Sequence, residues 1–170
     1  MDCELNENRL LTLEEIAALR QQFQHMVLGQ GVTFFIVDPG TASRRLTATS
    51  LAKVGFEEIN EFKNGEETLP AIEKCSSPHV VSFVDDALTG LSGMDYLSYM
   101  NRFRKIRPAG LLFLTGSHLT PGKVVDAQNN GVTGIFPRPL ALADILLKLA
   151  EKGIKAPILN DLADANRGNN

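Results

Sequence analysis

Between Gly31 and Gly153 two kinds of hydrophobic pattern take turns along the chain. Three runs, VTFFIVD (32–38), HVVSFVD (79–85) and GLLFLTG (110–116), are apolar almost throughout and of strand length, which predicts strands buried on both faces. EEINEF (57–62) and VTGIF (132–136) are shorter strand candidates. The stretches between them carry apolar residues at helical spacing. In SRRLTATSLAKVGF (43–56) these are Leu46, Leu51 and Val54, with Gly55 as a stop. After the turn signal Asn64-Gly65, EETLPAIEKC reads as a helix, although Pro70 should distort any helix begun much before it. MDYLSYMNRFRKI (94–106) aligns Met94, Leu97, Met100 and Phe103. TPGKVVDAQNNG (120–131) opens with Thr120 as cap and Pro121 at the first helical position. LALADILLKLAEKG (140–153) puts Leu142, Ile145, Leu146 and Leu149 on one face.

Upstream, LTLEEIAALRQQFQHMVLG predicts a further helix over 13–28. Thr12 and Glu15 form a capping box, Leu11 and Ile16 a hydrophobic staple, and Gly29 a stop. Its stripe of Ile16, Leu19, Phe23, Met26 and Val27 needs cover, either from the same domain or from a second copy in a homodimer. Residues 154–170 read as a polar tail or linker. The expected organisation is an N-terminal extension (1–30), one domain (31–153) and that tail. Five strands alternating with five helices, the inner strands apolar throughout, predict a doubly wound α/β domain with a five-stranded parallel sheet and an extra N-terminal helix.

Composition narrows the class. A chain of 170 residues with 44% apolar content is the size of one domain with one core. A net charge of −3 leaves no electrostatic footprint for nucleic acid. No apolar stretch approaches the ~20 residues that span a bilayer, and the acidic start MDCELNENR is no secretory signal. The two cysteines, Cys3 and Cys75, are far apart and lack a partnering motif. A soluble, cytoplasmic protein that binds neither nucleic acid nor membrane is expected.

Chemistry concentrates at the strand ends, where doubly wound sheets gather ligands. The first buried run ends on Asp38, the second on Asp85, the third at Thr115, and the last strand runs into Arg138. Each aspartate alone would be an ordinary helix cap or loop solvator; two carboxylates, a hydroxyl and a guanidinium at one sheet edge form a candidate site. A metal-dependent phosphohydrolase would want a second aspartate two residues after the first, where Ala87 stands. A dinucleotide fold would want Gly-x-Gly-x-x-Gly after the first strand, and it is absent.

The segments FIVDPGTASRRL, NGEET, VDDALTGLSG, FLTG and GVTGIFPRP, spread over 32–152, resemble the successive signatures of a bacterial two-component response-regulator receiver domain. Gly93, eight residues after Asp85, matches that family's spacing from its phosphorylated aspartate. The resemblance implies the strand order 2-1-3-4-5, with Asp85 as phosphoacceptor, a carboxylate nucleophile that takes a phosphoryl group from a histidine kinase or phosphotransfer protein. It implies no enzymatic activity beyond self-phosphorylation and dephosphorylation. Thr115 would contact the acyl phosphate, Asp38, Asp85 and the Ala87 backbone carbonyl would ligate Mg²⁺, and Asp86 would point away. It also implies a cis peptide at Arg138–Pro139. Output to a downstream protein would leave through the face of the fourth helix, fifth strand and fifth helix.

Three departures bear on the site. Pro39 stands where the family has a second acid, Arg138 where it has lysine, and Ile135 where it has the switch aromatic. The family's three carboxylates and one ammonium sum to −2, whereas Asp38, Asp85 and Arg138 sum to −1. Each unit charge lost near 4 Å removes roughly 4 kcal/mol of gross attraction at an effective dielectric of about 20, so Mg²⁺ binding should be weak or absent. Arg138 has two options. It can receive phosphoryl oxygens as the lysine would, or lie across the metal position and pair with Asp38 or Asp85. The two functional readings are a phosphorylatable receiver and a degenerate one acting as a phosphorylation-independent interaction module.

Overall fold

The structure, a computed structural model, describes residues 27–28, 31–106 and 110–157. In chain order its strands are β1 (Val27–Leu28), β2 (Val32–Val37), β3 (Glu58–Phe62), β4 (His79–Asp85), β5 (Leu111–Gly116), β6 (Gly134–Pro137) and β7 (Ile154–Lys155). Its helices are α1 (Thr41–Lys53), α2 (Gly65–Lys74), α3 (Gly93–Ile106), α4 (Pro121–Asn129) and α5 (Leu142–Glu151). The five main strands form one parallel sheet in the order β3-β2-β4-β5-β6, which is the expected 2-1-3-4-5.

Full burial of β2 explains the absence of alternation in its sequence, because both of its faces are covered. On one face Phe34 and Ile36 of β2, Phe83 of β4, Phe113 of β5 and Phe136 of β6 pack beneath α1 and α5. Rings in that row stand 5.4 Å (Phe83–Phe113) and 5.2 Å (Phe113–Phe136) apart between centroids. On the other face Phe35, Val37, Val84, Leu112 and Leu114 meet Ile72 of α2, Tyr96, Leu97 and Met100 of α3, and Ala127 of α4. Thr120 caps α4 as its sequence predicts, accepting from the Lys123 N–H at 3.3 Å, with Pro121 behind it.

Two of the helix expectations are corrected, at Leu46 and at Asn64-Gly65. Leu46 is 63% exposed although Leu51 is fully buried. Five residues of helix separate them by about 140°, so the inward face is set instead by Thr47, Ala48 and Leu51. Asn64-Gly65 is not a free turn: the Asn64 side chain caps α2, accepting from the Glu67 N–H at 2.9 Å. Pro70 lies inside α2 and is exposed, so the helical bond it cannot make falls on the solvent side.

The helix expected over 13–28 lies, up to residue 26, outside the described residues. Val27 and Leu28 do not end a helix but pair in parallel with Ile154 and Lys155. There the backbone groups of both short segments find partners, a reward that local helical spacing cannot reveal. The residues after 153 do not begin as a loose tail either. Ile154 and Ala156, on either side of Lys155, are buried in the α1/α5 core cluster.

Truncating Leu51 to alanine should cost about 2–5 kcal/mol, and Leu46→Ala should stay within about 0.5 kcal/mol of wild type. Urea denaturation of the two variants checks the ranking, and equal losses would mean that Leu46 faces the core.

Candidate functional site

Strand register builds the site. Val37 lies opposite Val84, Asp85 opposite Thr115, and Thr115 opposite Phe136. Asp38, one residue past β2, is therefore level with Asp85 and Thr115 at the carboxyl edge of the sheet. Arg138 follows two residues after Phe136, its N–H donating to the Gly116 carbonyl at 2.9 Å. The Arg138–Pro139 peptide is cis. Strand order reverses between β2 and β4, where ligand crevices form in such sheets.

All four predicted side chains meet here. Nη2 of Arg138 donates to Asp38 Oδ2, stands 2.8 Å from Asp85 Oδ2, and lies 3.4 Å from Thr115 Oγ1. The side chains of Arg138, Asp38 and Asp85 are 15%, 4% and 9% exposed, so water screens these pairs little. Removing Arg138 would strand two buried carboxylates, and breaking such a buried pair typically costs about 3–5 kcal/mol. The remaining Asp85 oxygen, Oδ1, accepts the Ala87 N–H at 2.8 Å. Burial pushes the Asp85 carboxyl above its ordinary value. The Ala87 N–H and Arg138 pull it back down, while the charges of Asp38 and Asp86 add to the rise.

Asp38 is held from its own loop as well. Its Oδ1 accepts the Gly40 N–H at 2.7 Å and its Oδ2 the Ser43 hydroxyl at 2.6 Å, while its carbonyl accepts Arg44 Nη1 at 2.6 Å. The sequence reading missed Ser43 and Gly40. Their signal was an aspartate followed two residues on by a free N–H, the Asx-turn pattern, and a hydroxyl at the start of the next helix.

Asp86, beside Asp85, does not enter the cup. Its Oδ2 takes Lys123 Nζ of α4 at 2.6 Å, and its own N–H donates to the Thr115 carbonyl at 2.8 Å. Two glycines make room on this side. A Cβ on Gly116 would overlap Asp86 Oδ1, and one on Gly93 would come within 3.2 Å of the Asp85 carbonyl oxygen. Ile135 is half-buried against the α2–α4 side of the core.

No family model matches the sequence. The chemotaxis protein CheY-3 of Vibrio cholerae is 25% identical over 123 residues, covering 72% of this chain and 92% of that protein. The chain resembles receiver domains of the CheY-like response-regulator kind. Solved structures agree on the fold. A CheY-like receiver domain protein from Methanospirillum hungatei aligns with a TM-score of 0.61 at 22% identity, covering 78% of this chain and 97% of that one. V. cholerae CheY4 aligns at 0.60 with 19% identity, covering 72% and 98%. A LuxR-family DNA-binding response regulator from Staphylococcus aureus aligns at 0.60 with 18% identity, covering 71% and 98%. Among the described residues no helix is long and apolar enough to cross a membrane.

Receivers of this kind typically bind Mg²⁺, and the residues present in the cup do not fit that ion. Mg²⁺ wants several hard oxygens in near-octahedral order. Here two carboxylates are already hydrogen-bonded and share one guanidinium nitrogen. Pro39 supplies no ligand, and no group of three or more His, Cys, Asp or Glu side chains placed to hold a metal occurs among the described residues.

Asp85 should make stability depend on pH. A carboxyl whose folded pKa is raised above its ordinary 3.8 binds its proton more readily when folded. Its contribution is therefore lost as pH climbs through the interval between the two values. Asp85→Asn, in which Arg138 keeps Asp38 as partner, should match wild type at the acid end and exceed it above that interval. Urea midpoints from about pH 3 to about pH 8 check this. A gap that shrinks with rising pH would show that Asp85 is instead stabilised as the anion.

Proposed function

We propose that this receiver is a signal-transduction domain that accepts a phosphoryl group on Asp85 and passes the change to a protein partner. The observation that carries the reading is the Asp85 carboxylate itself. It is buried at the floor of the cup, with one oxygen fixed by the Ala87 N–H, the other on Arg138, and Thr115 directly across the strand pair. The donor would be a phosphohistidine on a histidine kinase or phosphotransfer protein. An Asp85 oxygen attacks phosphorus, an O–P bond forms, the P–N bond breaks, and the departing imidazole takes up a proton. The Arg138 fork and the Thr115 hydroxyl would meet the incoming phosphoryl oxygens. The domain acts on no outside substrate; its products are its own phosphorylated and dephosphorylated states, read by downstream proteins in the cytoplasm.

One observation favours a second reading, a degenerate receiver that binds partners without phosphorylation. Arg138 already neutralises both carboxylates, so the cup is satisfied with no phosphoryl group or metal.

Incubation with acetyl phosphate and Mg²⁺, followed by intact-mass measurement, separates the two. The first reading expects a gain of one phosphoryl group that Asp85→Asn abolishes and Asp86→Asn does not. No gain at high donor concentration overturns it in favour of the second.

A further inference from the structure

The cup carries its own cation. We propose that Arg138 stands in place of a divalent metal, so that the resting site is closed to Mg²⁺ by a bound guanidinium rather than merely short of one ligand. This rests on the geometry of the cup and on no phosphoryl chemistry, so it stands or falls apart from phosphorylation of Asp85.

A single nitrogen, Nη2, gathers Asp38 Oδ2, Asp85 Oδ2 and Thr115 Oγ1, the three groups that converge on the cup. Two buried carboxylates facing one point repel each other unless a cation lies between them. A guanidinium carries its charge in a planar fork of donors that suits two carboxylates at once. The residues around it hold the arrangement. Asp38 is pinned by the Gly40 N–H and Ser43, and Asp85 by the Ala87 N–H, so neither carboxylate is free to turn toward an entering ion. The Arg138 backbone is tied to Gly116, which fixes where its side chain starts. A divalent ion entering with Arg138 in place would meet a positive charge at contact range, together with a site whose net charge is only −1.

Two explanations of weak metal binding then make opposite forecasts. If the missing acid at Pro39 is the cause, Pro39→Asp restores binding. If Arg138 is the cause, Arg138→Met restores it and Pro39→Asp alone does little. Mn²⁺ titration followed by NMR line broadening at the Asp38, Asp85 and Ala87 amides reads this directly. Wild type should show no selective broadening, and Arg138→Met should bind Mn²⁺ tighter by about tenfold or more. The same variant should lose thermal stability in chelator and regain it with Mg²⁺, while the wild-type midpoint stays put. A larger gain in Pro39→Asp than in Arg138→Met overturns the proposal. So does selective broadening of the three amides in wild type, a measurement that needs no variant to fold.

Discussion

The buried contact of one guanidinium with two carboxylates is the constraint around which this domain is arranged. Asp38 and Asp85 end adjacent parallel strands, which brings two negative charges together where water is scarce. Without a cation there, the sheet edge would carry a repulsion that a marginally stable domain tolerates poorly. Arg138 supplies the cation from the far side of the sheet, through the short strand β6 and a cis-proline turn. The Gly40 and Ala87 N–H groups satisfy the remaining carboxylate oxygens, as buried acceptors require, and Ser43 adds a second donor to the Asp38 oxygen that takes Arg138.

The rest of the fold is what holds these groups at their stations. Side chains at the strand ends need fixed heights, and parallel register provides them: Asp85 faces Thr115 because the phenylalanine row and the Val/Leu layer lock β4 against β5. Helices on both faces prevent the sheet from sliding, since a one-residue slip would turn every core side chain to the wrong layer. Chemistry at the edge thus depends on packing several residues away, a normal division of labour for α/β domains.

The two adjacent aspartates show how neighbouring identical residues acquire different roles. Successive strand residues point to opposite faces. Asp85 turns into the cup beside Arg138, whereas Asp86 turns toward α4 and pairs with half-exposed Lys123. That outer pair is partly solvated and contributes at most about 1 kcal/mol. The Asp86 carboxylate itself places negative charge near Asp85 and so helps raise that carboxyl's pKa.

Strand and helix positions were legible in the chain because continuous apolar runs and helical stripes record local burial, which repeats with the period of each element. The runs 79–85 and 110–116 coincide with β4 and β5 within a residue, and Thr120 and Pro121 mark the start of α4. The four site residues were legible too, as polar groups stationed at the ends of apolar runs. Leu46 misled because its hydrophobicity carries no direction; only the sheet beneath α1 decides which face is inward. The pairing of Val27–Leu28 with Ile154–Lys155 joins segments with no local link, so no window of sequence contains it. The state of Arg138 was open for the same reason. Sequence placed one cation and two carboxylates at one sheet edge, and only three-dimensional distance could choose between a waiting guanidinium and one already shared, since charge attraction is set by separation in space.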